Sequence, residues 1–414
     1  MKQPYQGKRK KEKGKIREAN SFHDTEDRSS AFLLFPFPFF LLFPALLLAT
    51  VASTAAFGLD EPDDPPEADV AALERAAAAN PRDIPAAISL AKSYRKRNEF
   101  HKAEALYRLI LVSDSGADDA QRAEACNGIG FIREKQREYG EAIKQYERAL
   151  EHRPFWERPL VHIGSCLMEQ GDYAGAEHSL REALLVAPND ASVRNAMGVL
   201  FSRTGRPEAA EREYSAAVRL RPGWIPPQWN LVLLLDQQGR YRESDRHLDA
   251  ILKAEPGHPD ARYVRVQHLV GAREYGLAER EARALMADHP GRAESHEALG
   301  LALWSKEDVE GAEAQFRKAL EIDSNSAGAY LGLGHVRMEQ RRFSEAEEYY
   351  RLAAELEPSA ADAKQGYAQA ARAEQRERFG GGCTAAPRFT GSPAVSSLQC
   401  LAVILPVVLL RRRV

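Results

Sequence analysis

Very few residues in this sequence have the types and spacing that catalysis or metal binding requires. His296-Glu297 begins a zinc-helix motif, but the second histidine that the motif needs does not follow. Gly128-x-Gly130 follows no predicted strand, so we interpret it as a helix-packing motif rather than a nucleotide-binding turn. The 11 histidines are scattered, and none has a companion cluster of Cys, His or Asp. The sequence therefore predicts no enzyme activity, no metal site and no cofactor.

A proline that recurs at a spacing of 34 residues, or a multiple of it, indicates where the helices of the chain end. Proline ends a helix, because it lacks the backbone N–H and clashes with the preceding turn. A unit of this length is too small to bury its own apolar face, so the period predicts stacked helical pairs. The recurring prolines are Pro154, Pro188, Pro222, Pro256, Pro290 and Pro358.

Small and bulky residues repeat with the same period. Small side chains let two helices approach closely, and the bulky ones fill the space beside the crossing. The small residues of the first helix are Gly130, Gly164, Gly198, Gly300 and Gly334; those of the second are Ala142, Ala176, Ala210, Ala312 and Ala346; the bulky residues are Tyr146, Leu180, Tyr214, Phe316 and Tyr350. Val232 and Val266 replace the glycine and Ser244 replaces an alanine, so we expect repeats five and six to pack more openly.

This pattern resembles the tetratricopeptide repeat family on Leu299-Gly300, Ala312, Phe316 and Ala319. The resemblance implies an all-α fold, a right-handed α-solenoid of stacked helix-turn-helix repeats over residues 70–379. Eight repeats are predicted, at 84–117, 123–156, 157–190, 191–224, 225–258, 259–292, 293–326 and 327–360, followed by a capping helix at 361–379. An insertion near residues 113–119 predicts a longer loop after the first repeat.

The resemblance also implies a binding surface. In tetratricopeptide arrays, first-helix residues at set places line a concave groove that holds a protein or peptide partner. Those places correspond here to Asn127, Phe131, Val161, Met168, Asn195, Val199, Trp229, Leu233, Tyr263, Leu301, Trp304, Leu331 and Met338. The alternative is that these side chains pack between helices. For Trp229, Tyr263 and Trp304 we favour binding, because aromatic residues supply large contact areas at interfaces. The family's carboxylate clamp is not predicted.

The N-terminal region has the order of an export signal. Residues 1–30 are polar and basic, residues 31–56 are apolar, and Ser53-Thr54-Ala55 offers small residues for cleavage. The alternative is an uncleaved membrane anchor. Residues 57–69 are acidic and rich in proline, which predicts a solvated linker before the repeats.

The C-terminal region, residues 380–414, combines three features. Gly380-Gly381-Gly382-Cys383 precedes a short apolar run at residues 398–410 and three terminal arginines at 411–413. This order resembles the C-terminal sorting signals of myxobacterial surface proteins, which implies that a sorting protease processes the chain at Cys383. An ordinary tail anchor is the alternative, although a helix of 13 residues spans only about 20 Å of the hydrocarbon core of a membrane, which is about 30 Å thick.

The net charge of the chain and the places of its cysteines indicate which partners and which thiol chemistry to expect. The chain carries a net charge of −3, and residues 1–30 and 380–414 each contribute +4, which leaves −11 on residues 31–379. Nucleic acid is therefore not an expected partner. Cys126 and Cys166 are predicted to be buried thiols.

We therefore predict a non-catalytic, exported scaffold at the cell envelope or surface that binds a protein or peptide, with membrane association through its terminal segments. The alternative is a structural subunit of an envelope assembly machine, such as one for pilus or outer-membrane biogenesis.

Overall fold

A computed structural model describes residues 70–80, 82–112, 115–358 and 360–379. The predicted export signal (1–56), the acidic linker (57–69) and the predicted sorting signal with Cys383 (380–414) lie outside these described residues. Among the described residues, no helix combines the length and the apolar character that crossing a membrane requires.

The described residues form eighteen helices and no strand, which confirms the predicted all-α repeat solenoid. The helices are α1 Val70–Ala79, α2 Ile84–Lys96, α3 Phe100–Ile110, α4 Asp119–Lys135, α5 Tyr139–His152, α6 Glu157–Glu169, α7 Tyr173–Val186, α8 Ala191–Arg203, α9 Pro207–Leu220, α10 Ile225–Gln237, α11 Tyr241–Ala254, α12 Pro259–Gly271, α13 Tyr275–Asp288, α14 Ala293–Ser305, α15 Val309–Ile322, α16 Ala327–Glu339, α17 Phe343–Leu356 and α18 Ala361–Phe379.

Each repeat is one pair, from α2 and α3 to α16 and α17, with α1 before the first pair and α18 after the last. We call the even-numbered helices from α2 to α16 first helices and their odd-numbered partners second helices. First helices contact one another from repeat to repeat, as α4 contacts α6 and α12 contacts α14. They therefore form a layer along the array, which is loosest between α10 and α12, where the side chains of Asp236 and His268 make contact.

The turns inside the repeats follow the residue types. Gly171, Gly205 and Gly239 have positive φ angles of 82°, 69° and 71°, as predicted for helix C-caps. In the other repeats the same place is taken by non-glycine residues with φ near 60°, a conformation that costs free energy for a residue with a Cβ atom. These residues are Asn98, Arg137, Arg273, Glu307 and Arg341.

The helix crossings show why glycine recurs. A Cβ atom added to Gly198 would lie 2.5 Å from the Tyr214 ring, and one added to Gly300 would lie 2.7 Å from Phe316. Gly128 likewise faces Tyr107 at 2.4 Å, which supports its interpretation as a packing glycine. The aromatic ring thus occupies the space that a side chain on the first helix would need.

The two helices of repeat five and those of repeat six approach each other less closely than the helix pairs of repeats two, three, four, seven and eight, as we expected. Val232, Ser244 and Val266 are all fully buried. At the place across the crossing, repeats five and six have Leu248 and Ala282, whereas every other repeat except repeat three has an aromatic ring. These smaller residues leave room for the two valine side chains, so the crossings stay filled.

Ion pairs join each repeat to the next at most of the boundaries. The acidic residue that follows the small residue of a second helix accepts a hydrogen bond from a basic residue of the next repeat, at distances of 2.5–2.9 Å. The pairs are Glu104–Arg133, Glu177–Arg206, Glu211–Arg240, Asp245–His268, Glu279–Lys306 and Glu313–Arg337. Ile143 takes the acid's place between repeats two and three and lies in an apolar cluster, and at this boundary His162 Nδ1 lies 3.0 Å from Glu134 Oε2.

The two predicted thiols are confirmed. Cys126 and Cys166 are free and buried. Burial raises the pKa of both, so neither is an activated thiolate. The loop after the first repeat is longer than the others, and α4 begins with an extra turn at Asp119, capped by Asp118.

Candidate functional site

The predicted groove residues divide into a buried group and a partly exposed group. Asn127, Met168, Asn195, Trp229 and Tyr263 are at most 5% exposed. Phe131, Leu233, Trp304 and Met338 are partly exposed. The alternative of packing between helices therefore holds for most of the buried group, and the four partly exposed residues offer accessible surface on the first helices.

The buried polar members of the predicted set stabilise the layer of first helices. Asn230 donates a hydrogen bond from its side-chain amide to Asn195 Oδ1 at 2.9 Å, which joins α10 to α8. Trp229 stacks on His258, with ring centroids 5.8 Å apart. These contacts join neighbouring helices, and the role of Asn195 and Trp229 in binding a partner stays a prediction.

Phe131 lies in a cationic environment at the beginning of the array. The guanidinium of Arg95 sits 4.4 Å from the centroid of its ring, and the Lys135 ammonium sits 5.0 Å from it. His162 approaches the same ring edge-on at 6.2 Å. The cations stabilise one orientation of the Phe131 ring on the first-helix layer.

A cleft between α12, α14 and α16 brings three of the predicted residues together, namely Tyr263, Leu301 and Trp304. It is a cavity of about 20 Å³ that opens to the surface, and Tyr263, Glu297, Leu301, Trp304, Phe316 and His335 line it. We call it the Glu297 cleft. A volume of this size accommodates one small polar group, about as large as a water molecule.

Glu297 is the acid of this cleft. Its Oε2 atom accepts a hydrogen bond from the Tyr263 hydroxyl at 3.0 Å, and its Oε1 atom accepts one from Ser326 Oγ at 2.5 Å. Ser326 also caps α16 by accepting from the Ala329 N–H. Burial raises the pKa of Glu297 to about 6, although both hydrogen bonds oppose the rise. The carboxylate is thus mostly ionised at neutral pH and held by three first helices.

Aromatic rings surround that carboxylate. Trp304 stacks on His335 with centroids 5.1 Å apart, and the Tyr350 hydroxyl lies 2.9 Å from His335 Nδ1. Burial lowers the pKa of His335 to about 4, so its ring is neutral at physiological pH. The Glu297 cleft therefore presents one negative charge among aromatic faces, an arrangement that attracts a cation.

We did not predict Glu297 or His335 as groove residues from the sequence. Glu297 follows Tyr263 by 34 residues, and His335 follows Leu301 by the same step, so both occupy groove places of the repeat. The period alone could have identified them. We had selected apolar, aromatic and asparagine residues at those places, and that choice left out an acid and a histidine.

One other histidine has a strongly altered environment. His268 Nε2 lies 3.2 Å from Asp236 Oδ2, and His268 Nδ1 lies 2.8 Å from Asp245 Oδ1. Burial would lower the pKa of His268, but the hydrogen bonds and charges of the two aspartates raise it to about 9. The protonated ring ties α12 to α10 and α11, which is a structural role. Within the described residues, no group of three His, Cys, Asp or Glu side chains could hold a metal ion.

Family models described as tetratricopeptide repeat match residues 123–156, 163–223, 230–270, 263–327 and 303–371. Together these matches cover more than half of the chain. No protein with a curated description matches the sequence.

Several solved structures are similar to this chain. The Cut9–Hcn1 hetero-tetramer of the APC/C has 13% identity and a TM-score of 0.51, covering 76% of this chain and 62% of that one. Yeast Tom70 has 16% identity and a TM-score of 0.47, covering 80% and 70%. MamA from Desulfovibrio magneticus has 26% identity and a TM-score of 0.34, covering 41% and 97%. At this level of identity, the likeness to Cut9–Hcn1 shows the fold alone.

Proposed function

We propose that this chain, which belongs to the tetratricopeptide repeat family, is a non-catalytic scaffold that holds a segment of a partner protein along its first helices. The observation that carries the proposal is the Glu297 cleft, where residues of three successive first helices converge on one small cavity beside the partly exposed side chains of Trp304 and His335. A repeat array binds in this way because each repeat contributes a few residues to one extended surface.

The chemistry of the cleft specifies what the partner presents there. Glu297 carries a negative charge at neutral pH, and its neighbours Trp304, Phe316 and Tyr263 offer aromatic rings. A lysine ammonium matches the size of the cavity and the sign of the charge, and aromatic faces stabilise it further. The partner segment therefore places a lysine in the Glu297 cleft.

The rest of the segment meets a largely apolar surface. Leu233, Trp304 and Met338 are partly exposed on α10, α14 and α16. An extended or helical segment with apolar anchors beside its lysine fits such a surface. Trp304 belongs both to the Glu297 cleft and to the apolar surface beside it, so we expect it to be a hot spot of the interface.

The proposal includes export to the cell envelope or surface. What supports it is the sequence of the two ends: basic residues before the apolar run at 31–56, and Cys383 before the apolar run at 398–410 and three arginines. A sorting protease would act at Cys383. Intact mass of the protein from its native cells tests this, because a mature chain that retains residues 411–414 would contradict processing at Cys383.

The binding proposal is tested by recovering partners from crosslinked native cells with the tagged full chain. We expect Glu297→Gln and Trp304→Ala each to reduce recovery of the same protein at least fivefold, with unchanged helical content. The matched control is Leu185→Ala, which removes an 84% exposed side chain from the second helix α7.

Equal recovery by all variants would contradict the role of the Glu297 cleft. A stable stoichiometric complex that resists both cleft substitutions would favour the structural subunit of an assembly machine instead.

A further inference from the structure

A second cavity lies between the second helices α3 and α5, with α4 at its base. It has a volume of about 400 Å³, and three arginines line it together with Leu111 and Val112. The arginines are Arg108, Arg133 and Arg148. The cavity borders the long loop after the first repeat, the one place where the described array departs from its 34-residue period by an insertion.

The cavity has more positive than negative charge. Glu104 accepts from both Arg108 and Arg133, each at 2.6 Å, and Glu138 Oε2 lies 3.5 Å from Arg133 Nε. Glu141, which also lines the cavity, is 2.8 Å from the Lys144 ammonium. Arg148 donates to Gln145 at 3.4 Å, a long contact with a neutral group.

At the boundary between repeats seven and eight, the corresponding arginines are balanced by carboxylates. There Glu313 accepts from Arg317 and Arg337, as Glu104 does from Arg108 and Arg133. Glu345 stands at the place of Glu141 but bonds Arg337 at 3.0 Å, and Leu352 takes the place of Arg148. The first boundary therefore keeps a guanidinium that the later boundary lacks.

Other repeats place acids where this cavity has arginines. Glu147 of repeat two occupies the place of Arg108, and Glu182 of repeat three occupies the place of Arg148. Arginine does stand at the place of Arg108 in repeats three, six, seven and eight, so the arginine that distinguishes this boundary is Arg148.

We propose that this arginine cavity binds the acidic segment at residues 60–69 of the same chain. That segment contains six carboxylates and no basic residue, and it ends directly before α1. Val70, the first residue of α1, packs in one hydrophobic cluster with Leu111 and Ile129, which line the cavity. Ten extended residues reach about 33 Å, which is enough to cross from α1 to the groove between α3 and α5.

Covalent linkage favours this occupant over an acidic segment of another protein. A short linker gives its own residues a local concentration in the millimolar range, so weak ion pairs suffice for binding. The cavity is open and Arg108 is 67% exposed, so the interaction is screened by salt. The segment would cover the second helices of the first two repeats and leave the Glu297 cleft free.

The experiment places the photo-crosslinking residue benzoylphenylalanine at Pro66 of the purified full chain and maps the products by mass spectrometry. We expect intramolecular crosslinks to residues 108–112 and 141–148, with a yield that falls as NaCl rises from about 50 to about 500 mM. The double variant Arg108→Gln, Arg148→Gln should lose at least fivefold of that yield.

The matched control is Arg181→Gln. Arg181 has the place of Arg108 in repeat three, the same 67% exposure and the same bond to the glutamate four residues before it. The Arg181→Gln variant should give the same crosslinking yield as the chain without this substitution. Crosslinks to other helices, crosslinks between copies, no crosslinks, or an undiminished yield in the double variant would each overturn the proposal.

Discussion

Glu297 and His335 share one cleft, and burial moves their pKa values in opposite directions. The pKa of Glu297 rises to about 6, whereas that of His335 falls to about 4. Between pH 7.5 and pH 5 the charge of the cleft therefore changes through Glu297 alone. This separation makes the proposed lysine contact testable by titration.

We expect the affinity for the partner segment to fall about tenfold between pH 7.5 and pH 5, because Glu297 gains a proton while the lysine stays charged. Glu297→Gln should have weak affinity at both pH values and little pH dependence. Fluorescence anisotropy of a labelled partner segment measures both. A wild-type affinity that is constant over this range would remove the carboxylate from the interface.

Glycines inside helices have opposite roles at the crossings and on the surface. Gly198→Ala should destabilise the fold by about 1–3 kcal/mol, because its Cβ atom would collide with the Tyr214 ring. Gly276→Ala in α13 is the control, since nothing lies within 4 Å of its added Cβ atom. The control should be as stable as wild type or slightly more stable, as alanine favours helix. Thermal unfolding that ranks the two variants the other way would contradict the crossing geometry.

At the scale of the elements, the boundaries between repeats depend on charges held at low exposure. Arg337 is 1% exposed, and Glu313 and Glu345 supply its ionic partners. The hydrogen bond from Arg337 lowers the pKa of Glu313 to about 2, so this carboxylate is ionised throughout the neutral range. The boundary between repeats seven and eight therefore relies on a buried cation that stays paired.

Glu313→Gln should destabilise the array by about 3 kcal/mol, because it leaves the buried Arg337 with one carboxylate fewer. Glu348→Gln is the control: its partner Arg351 is three residues away on the same exposed helix face, and such pairs contribute less than about 1 kcal/mol. Urea unfolding monitored by circular dichroism measures both. Equal effects of the two substitutions would show that this boundary does not depend on the ion pair.

The boundary between repeats five and six should lose stability as the pH becomes alkaline. Because the folded-state pKa of His268 is raised from 6.5 to about 9, its stabilisation is complete below pH 6.5 and disappears as pH rises through 9. We expect a loss of about 2 kcal/mol over that interval. His268→Gln should remove this component of the pH dependence, as measured by unfolding at several pH values. A variant with an unchanged pH profile would contradict the assignment.

At the scale of the whole molecule, the architecture could be predicted from sequence because it rests on local repetition. Proline, glycine and the small residues at crossings act within one repeat, so their spacing revealed the helix pairs without any long-range information. Val232 and Val266 indicated the wider helix spacing of repeats five and six, but which side chains fill those crossings depends on the residue across from each valine. The space at a crossing is filled by one side chain from each helix, and we had considered each side chain separately.

The candidate site was predicted less completely than the fold. The repeat register located Tyr263 and Trp304, which the structure brings into one cleft. It did not show that Trp229 and Asn195 would be covered, because their burial depends on side chains from the neighbouring repeats. Their role in binding, like that of the other groove residues, stays a prediction.

The most direct test of the account is hydrogen–deuterium exchange of the full chain with and without its bound partner. We expect the partner to slow exchange in α12, α14 and α16, the first helices that form the Glu297 cleft, while the second helices α13 and α15 keep their rates. Slower exchange confined to α13 and α15, with the first helices unchanged, would contradict the central claim that the partner binds on the first helices.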